Sequence, residues 1–151
     1  MSNVSADLIW EVTRLQNAYL VKRKGNGSPQ FSRDPLNLTN LHARKYAGYV
    51  NPKALGVLPA GKSGVQVIAK KPAAGNKPAS GLYKVTYNTT ARKTYKAIAN
   101  QAARHFYRPD LRAAAVARAS AIRRSQREPK PDPPKKLRGA AAKKAAAAGK
   151  Q

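Results

Sequence analysis

Between Pro35 and Pro109 the chain runs for 75 residues without a single Asp or Glu, and the same stretch carries thirteen Lys or Arg. No other feature restricts the possible folds as much. Neighbouring cations repel, and a surface that lacks interspersed carboxylates has nothing of its own to neutralise them. Apolar segments in this stretch can pack only if the cations between them all point outward, onto a face whose counter-charge comes from elsewhere.

The rest of the chain sharpens the asymmetry. Thirty Lys and Arg stand against six acids in 151 residues, a formal charge of +24, and the calculated pI is about 11.0. The acids are Asp7, Glu11, Asp34, Asp110, Glu128 and Asp132. A polyanion is therefore expected as part of the working structure. The length suits one domain. Cysteine is absent, which excludes disulfides, Cys–zinc sites and Cys nucleophiles. No apolar run approaches the roughly 18 residues of a membrane span, and no secretory leader is visible at the N-terminus, so a cytosolic or nuclear protein is expected.

Periodicity gives an α+β chain: a small mixed, mostly antiparallel sheet, an N-terminal helix, two C-terminal helices and a basic, disorder-prone tail. Ser5 is a good N-cap and Asp7 suits the first turn, predicting a helix over 6–14. Residues 18–24, "AYLVKRK", alternate as a strand, and "GNGSP" turns the chain. Residues 30–53 read as irregular chain with short strands near Phe31 and Tyr46. Residues 55–58 and 65–70 are two strands joined through 59–64, with Val65, Val67 and Ala69 on one face. An exposed basic loop over 70–81 leads to "LYKVTY", which places Tyr83, Val85 and Tyr87 on one side. A helix from the cap at 88–90 to about Tyr107 would bury Tyr95, Ile98, Ala102 and Phe106. Pro109 ends it and Asp110 can cap the next, which runs to about Gln126 and buries Leu111, Ala115 and Ile122. Arg112, Arg123 and Arg127 would form a ridge on this last helix. Residues 1–126 form the expected domain. Residues 127–151, Pro-rich and then Ala-, Lys- and Gly-rich, form the tail, which is read as flexible because it has too little to bury.

One motif invites a catalytic reading. "GVLPAGKS" at 56–63 matches the phosphate-binding loop G-x-x-x-x-G-K-S of many nucleotide-binding proteins. That chemistry needs a helix starting at the Lys-Ser, so that its amide groups converge on phosphate. Here a strand follows, Gly64 interrupts any helical start, and the chain holds no acid at the end of an apolar strand to carry magnesium. The string is expected to be a hairpin bend. Asp7 and Glu11 are explained by helix electrostatics, and His42 and His105 lack acidic partners. No enzyme activity, cofactor, metal or small-molecule substrate is expected.

Nucleic-acid binding remains, because its signals add. Candidate RNA contacts are Lys22, Arg23 and Lys24; Arg44 and Lys45; Lys70 and Lys71; Arg92, Lys93 and Lys96; Arg104, Arg108, Arg112 and Arg118; Arg123, Arg124 and Arg127; and Lys135 and Lys136. Tyrosines are interleaved among them, which suits unpaired bases as well as phosphates. About ten phosphate contacts would give a log–log salt slope of roughly −7 to −9.

The segment "YRPDLRAAAVARASAIRRSQ" at 107–126 resembles the C-terminal helix of the eukaryotic large-subunit ribosomal protein family numbered L twenty-eight. Weaker similarity lies in Trp10 with "YLVKR", in "DPLNLTN" at 34–40 and in "YAGYVNPKALGVLPA" at 46–60, so the resemblance spans about 5–126. It implies a small α+β protein held by large-subunit ribosomal RNA among neighbouring ribosomal proteins. Its role would be structural, on cytoplasmic ribosomes assembled in the nucleolus, with no membrane involved. The tail lies outside the resemblance. Two alternatives are a ribosome-assembly factor and, from the Ala/Lys tail, a chromatin protein similar to linker histone. The latter would need three helices ahead of its hairpin, whereas here strands come first.

Overall fold

The computed structural model describes residues 4–75, 77, 79–133, 136 and 138–148. It is an α+β fold with helices α1 (Ala6–Thr13), α2 (Ala91–Ala103), α3 (Arg112–Ser125) and α4 (Ala140–Ala148). The strands are β1 (Leu20–Lys22), β2 (Gln30–Ser32), β3 (Leu55–Pro59), β4 (Val65–Lys70) and β5 (Leu82–Tyr87). Among the described residues these strands form two antiparallel sheets, β1–β2 and β3–β4–β5.

The three-stranded sheet carries the core. Leu55 pairs with Ala69, Val57 with Val67 and Pro59 with Val65, while Val65, Val67 and Ala69 pair with Tyr87, Val85 and Tyr83. Alternation puts these side chains on one face, where Leu55, Val57, Val65, Val67 and Ala69 are fully buried against Ile98 and Ala102 of α2 and Ala115 and Ala119 of α3. Each full-sized aliphatic contributes about 1.5–3 kcal/mol. The alanines let α2 and α3 pack closely together on the sheet.

The other face is covered at Gly56 by Pro35 and Leu36. A Cβ on Gly56 would collide with the Pro35 carbonyl oxygen, so a strand position that would normally carry a side chain must be glycine. The covering loop is organised by two buried polar side chains. Asp34 accepts from Leu36 N at 2.9 Å and Tyr49 N at 3.0 Å. Asn37 accepts from Thr39 N at 3.1 Å and donates to Leu41 O at 2.8 Å. These are Asx turns, in which a side chain replaces the backbone partners that a sheet would supply.

α1 buries no residue and is fastened by polar and aromatic contacts. Asp7 pairs with Arg44 at 2.9 Å, Trp10 lies 4.9 Å from the His42 ring, and the Thr13 and Tyr49 hydroxyls are 3.3 Å apart.

Several expectations need correction. The strand near Tyr46 is absent, and that residue lies in a turn anchored by Ala43 O. The helix expected to reach Tyr107 stops at Ala103, because His105 and Phe106 adopt left-handed φ angles of 56° and 51°. Phe106 is therefore not core but 85% exposed. Asp110 does not cap α3 with its side chain; its carboxylate is held by Arg108. Arg127 lies beyond the end of α3, so the ridge expected there loses its last member. Ala119 joins the buried seam, while Ile122 is only partly buried. Within the tail, 140–148 form a helix, since alanine has the highest helix propensity even where little is buried.

Candidate nucleic-acid interface

The hairpin bend at 60–64 is positioned by the far end of α3. Gln126 accepts from Gly64 N at 3.1 Å and donates to Gly64 O at 2.8 Å, a two-point amide clamp across 62 residues of sequence. Gly64 has φ +95°, and a Cβ there would strike the Asn88 side chain. A β-strand, not a helix, follows Ser63, and the Gly64 amide is already engaged. This loop therefore lacks the helix N-terminus that would converge amides on a nucleotide phosphate.

The expected RNA contacts divide into two groups. Five side chains are committed within the protein. Arg118 donates to Val57 O at 2.8 Å, Leu38 O at 3.1 Å and Asn40 Oδ1 at 3.0 Å, joining α3 to the outer edge of β3 and to the loop beyond it. Burial pushes its guanidinium below the ordinary arginine value, and the three acceptors offset that cost. Lys70 donates to Tyr49 O at 3.2 Å and Asn51 O at 3.1 Å. Burial lowers its pKa, opposed by the negative charge of Asp34. Arg108 donates to Lys53 O at 2.9 Å, Lys45 O at 3.0 Å and both oxygens of Asp110. That pairing holds the Asp110 carboxyl below its usual range. Arg44 bridges Asp7 and Asn51, and Arg123 donates to Thr89 O at 3.2 Å.

The remaining described candidates point outward. Lys22, Arg23 and Lys24 are exposed at β1, and Lys45 lies with its ammonium 5.6 Å from the Tyr46 ring centroid. Lys71 is exposed just after β4. Arg92, Lys93 and Lys96 occupy an arc of about 100° on α2, opposite its buried Thr94, Ile98 and Ala102. Arg104, Arg112, Arg124, Arg127 and Lys136 are also exposed. Lys135 lies outside the described residues. Reading charge clusters alone passed over Lys62, Lys84, Lys143 and Lys144, which are exposed as well. Lys84 was legible as the outward position of an alternating strand.

Between β5 and α2 lies an open groove of about 390 Å³, lined by Tyr83, Tyr87, Ala97, Asn100, Gln101, Arg104, His105 and Tyr107. The Tyr87 hydroxyl donates to Gln101 Oε1 at 3.1 Å. The Tyr107 hydroxyl donates to Lys70 O at 2.7 Å and lies 3.1 Å from Ala54 O. Burial raises the pKa of both phenols, and Tyr83 adds to it. Among the described residues no group of three or more His, Cys, Asp or Glu is placed to hold a metal. No helix of the described residues is long and apolar enough to cross a membrane.

A compact α+β body that spends some arginines on its own carbonyls and turns the other cations outward is the build of a structural polyanion-binding protein. Sequence comparison makes the class specific: the chain belongs to the Ribosomal L28e protein family, whose model matches residues 8–125. It is 46% identical over 130 residues to the large ribosomal subunit protein eL28 of Schizosaccharomyces pombe, covering 85% of this chain and 97% of that one. The Caenorhabditis elegans eL28 is 34% identical over 123 residues, 82% of this chain and 91% of its own. That of Dictyostelium discoideum is 32% identical over 129 residues, 84% and 92% respectively.

Proposed function

We infer that the protein is a structural constituent of the large ribosomal subunit that binds ribosomal RNA through its outward cations and supports translation without catalysing a reaction. The family match over residues 8–125 carries the large-subunit assignment. The division of the cations supports the way it is held. Lys22, Arg23, Lys24, Lys45, Lys71, Arg92, Lys93, Lys96, Arg104, Arg112, Arg124, Arg127 and Lys136 meet RNA phosphates. Arg44, Lys70, Arg108, Arg118 and Arg123 act first on the protein itself. The body to Gln126 is the unit that docks among neighbouring ribosomal proteins, and the basic residues Arg127 and Lys136 beyond it add contacts to RNA. The protein works on cytoplasmic ribosomes after joining the subunit in the nucleolus.

Sucrose-gradient sedimentation of a cell lysate tests the assignment. The protein should co-sediment with large subunits at moderate salt, and its recovery with nucleosomes instead would overturn it. Replacing Arg92, Lys93 and Lys96 together by Gln should make the salt slope of rRNA binding shallower by roughly 2. An unchanged slope would remove the α2 face from the interface.

A further inference from the structure

The end of α2 contains an arrangement that phosphate binding does not explain. Arg104, His105 and Phe106 form a single tight turn in which two successive non-glycine residues hold left-handed φ angles of 56° and 51°. That conformation is rare for a bulky aromatic, and such strain is tolerated mainly where a site needs the geometry. Its result is that Phe106, which helical continuation would have turned toward the core, stands 85% exposed. The turn is also fixed from outside, since Lys53 Nζ reaches Phe106 O at 3.5 Å and Arg108 N donates to Ala102 O at 2.9 Å.

The groove between β5 and α2 begins beside this turn and shares Arg104 and His105 with it. Its walls offer two phenol rings, Tyr83 and Tyr87, and two amides, Asn100 and Gln101. Because Gln101 Oε1 is taken by the Tyr87 hydroxyl, its Nε2 hydrogens are left for a visitor. The lining contains no carboxylate, and the next acid along the chain, Asp110, is already paired with Arg108 at 2.7 Å. Aromatic walls, edge-on amides, a flanking arginine and an acid-free rim match the chemistry of an unstacked nucleotide: a flat π-face, a polar edge and one negative phosphate. An apolar segment of a neighbouring protein would use Phe106 but would leave Arg104, Asn100 and Gln101 unpaired.

We propose that the α2-terminal turn and the adjoining groove form a site for one unpaired rRNA nucleotide. Its base enters the groove, its phosphate meets Arg104, and Phe106 stacks on the next base of the strand. This rests on the rRNA-binding reading above, and the test separates the two.

The full chain is titrated with deproteinised large-subunit rRNA at several salt concentrations, as wild type, Phe106→Ala and Phe106→Tyr, and the wild-type complex is irradiated to map crosslinked peptides. Stacking of one base predicts about 5- to 150-fold weaker binding for Phe106→Ala with an unchanged salt slope, since no phosphate contact is lost. Phe106→Tyr keeps the ring and should stay near wild type, and crosslinks should fall on the peptides carrying Phe106 or Tyr83 and Tyr87. If the wild type binds and Phe106→Ala binds equally well, with crosslinks elsewhere, the nucleotide site is refuted and the general rRNA reading stands. Chemical crosslinking of assembled subunits that places Phe106 against a protein would likewise refute it in favour of a protein contact. Failure of the wild type to bind rRNA would remove both readings. Phe106 is exposed, so loss of the fold does not confuse the comparison.

Discussion

Arg118→Met separates the cations that hold the fold from those that meet RNA. The guanidinium donates at 2.8 Å, 3.1 Å and 3.0 Å to Val57 O, Leu38 O and Asn40 Oδ1. Hydrogen bonds from a charged donor are worth about 1.5–3 kcal/mol each, and a buried carbonyl left without a partner costs about 1–3 kcal/mol. Three such bonds set an upper bound. The methionine side chain keeps the packing of the arginine stem, Asn40 is exposed and can turn to water, and the desolvation that lowers the Arg118 pKa is relieved. What remains is chiefly the loss at Val57 O and Leu38 O, a net cost of about 2–4 kcal/mol. For a body of this size that corresponds to a Tm lower by roughly 6–15 °C. Calorimetry of the full chain reads it, with Arg112→Met on the same helix as control, since Arg112 is exposed and should change stability by no more than about 0.5 kcal/mol. The salt slope for rRNA should shift in the opposite order, becoming shallower by about 0.7 for Arg112→Met and unchanged for Arg118→Met. An Arg118→Met chain that melts with the wild type would refute the structural role.

Other outcomes follow from the same geometry. Gly56→Ala should cost about 1–3 kcal/mol in chemical denaturation, because its Cβ meets the Pro35 carbonyl oxygen and backbone on both sides must give way. Gln126→Ala should lose about 1–2 kcal/mol and most of the hydrogen-exchange protection of the Gly64 amide, whereas Lys62→Ala at the loop tip should be nearly silent in both measurements. Asp110→Asn should weaken the protein at neutral pH but not in acid. The Arg108 hydrogen bond depresses the folded-state pKa below 3.8, so the stabilisation is present above that value and fades as pH falls through the lowered one. Urea midpoints of variant and wild type should converge as the pH falls below the lowered folded-state pKa, and a gap that persists in strong acid would exclude the ion pair as its cause. Raising the pH through 10 should expose two opposed effects. Deprotonation of Lys70, whose folded-state pKa is lowered by burial, relieves a cost as pH nears 10.5, while the raised pKa values of Tyr87 and Tyr107 mean stability is lost above 10. Lys70→Met should therefore leave only the tyrosine-driven decline in pH-dependent melting.

The elements with strict periodicity were legible in the sequence. Val65, Val67 and Ala69 sit on the buried face as alternation predicts, Tyr83, Val85 and Tyr87 share a side, and Ile98, Ala102, Leu111 and Ala115 line the helix seam. What was not legible is held by polar side chains across long separations. Asp34 and Asn37 turn a weakly patterned stretch into an ordered cover for the sheet, and an Asx turn leaves only an Asp or Asn two residues before the amide it receives. The bend after Ala103 was missed because helix periodicity continues through Phe106, and a left-handed φ at His105 has no signature without glycine. Among the cations, identity said nothing of direction. Arg118 and Arg112 look alike in sequence, and only the arrival of Val57 O and Leu38 O beside one of them tells a strut from a contact.

The Gln126 clamp also has a consequence for the order in which the chain is made. Translation delivers β3 and its hairpin long before residue 126, so for 62 residues of synthesis the bend has no lock, and the edge at Val57 waits nearly as long for Arg118. Through that interval a nascent three-stranded sheet presents an unpartnered edge, the kind that recruits strands from other chains. Exposed Lys62 at the bend and Lys84 on β5 are charges of the kind that oppose such pairing. α3 is thus the element that closes the sheet: its Arg118 and its C-cap Gln126 reach back to the β3 edge and the bend, made about 60 residues earlier.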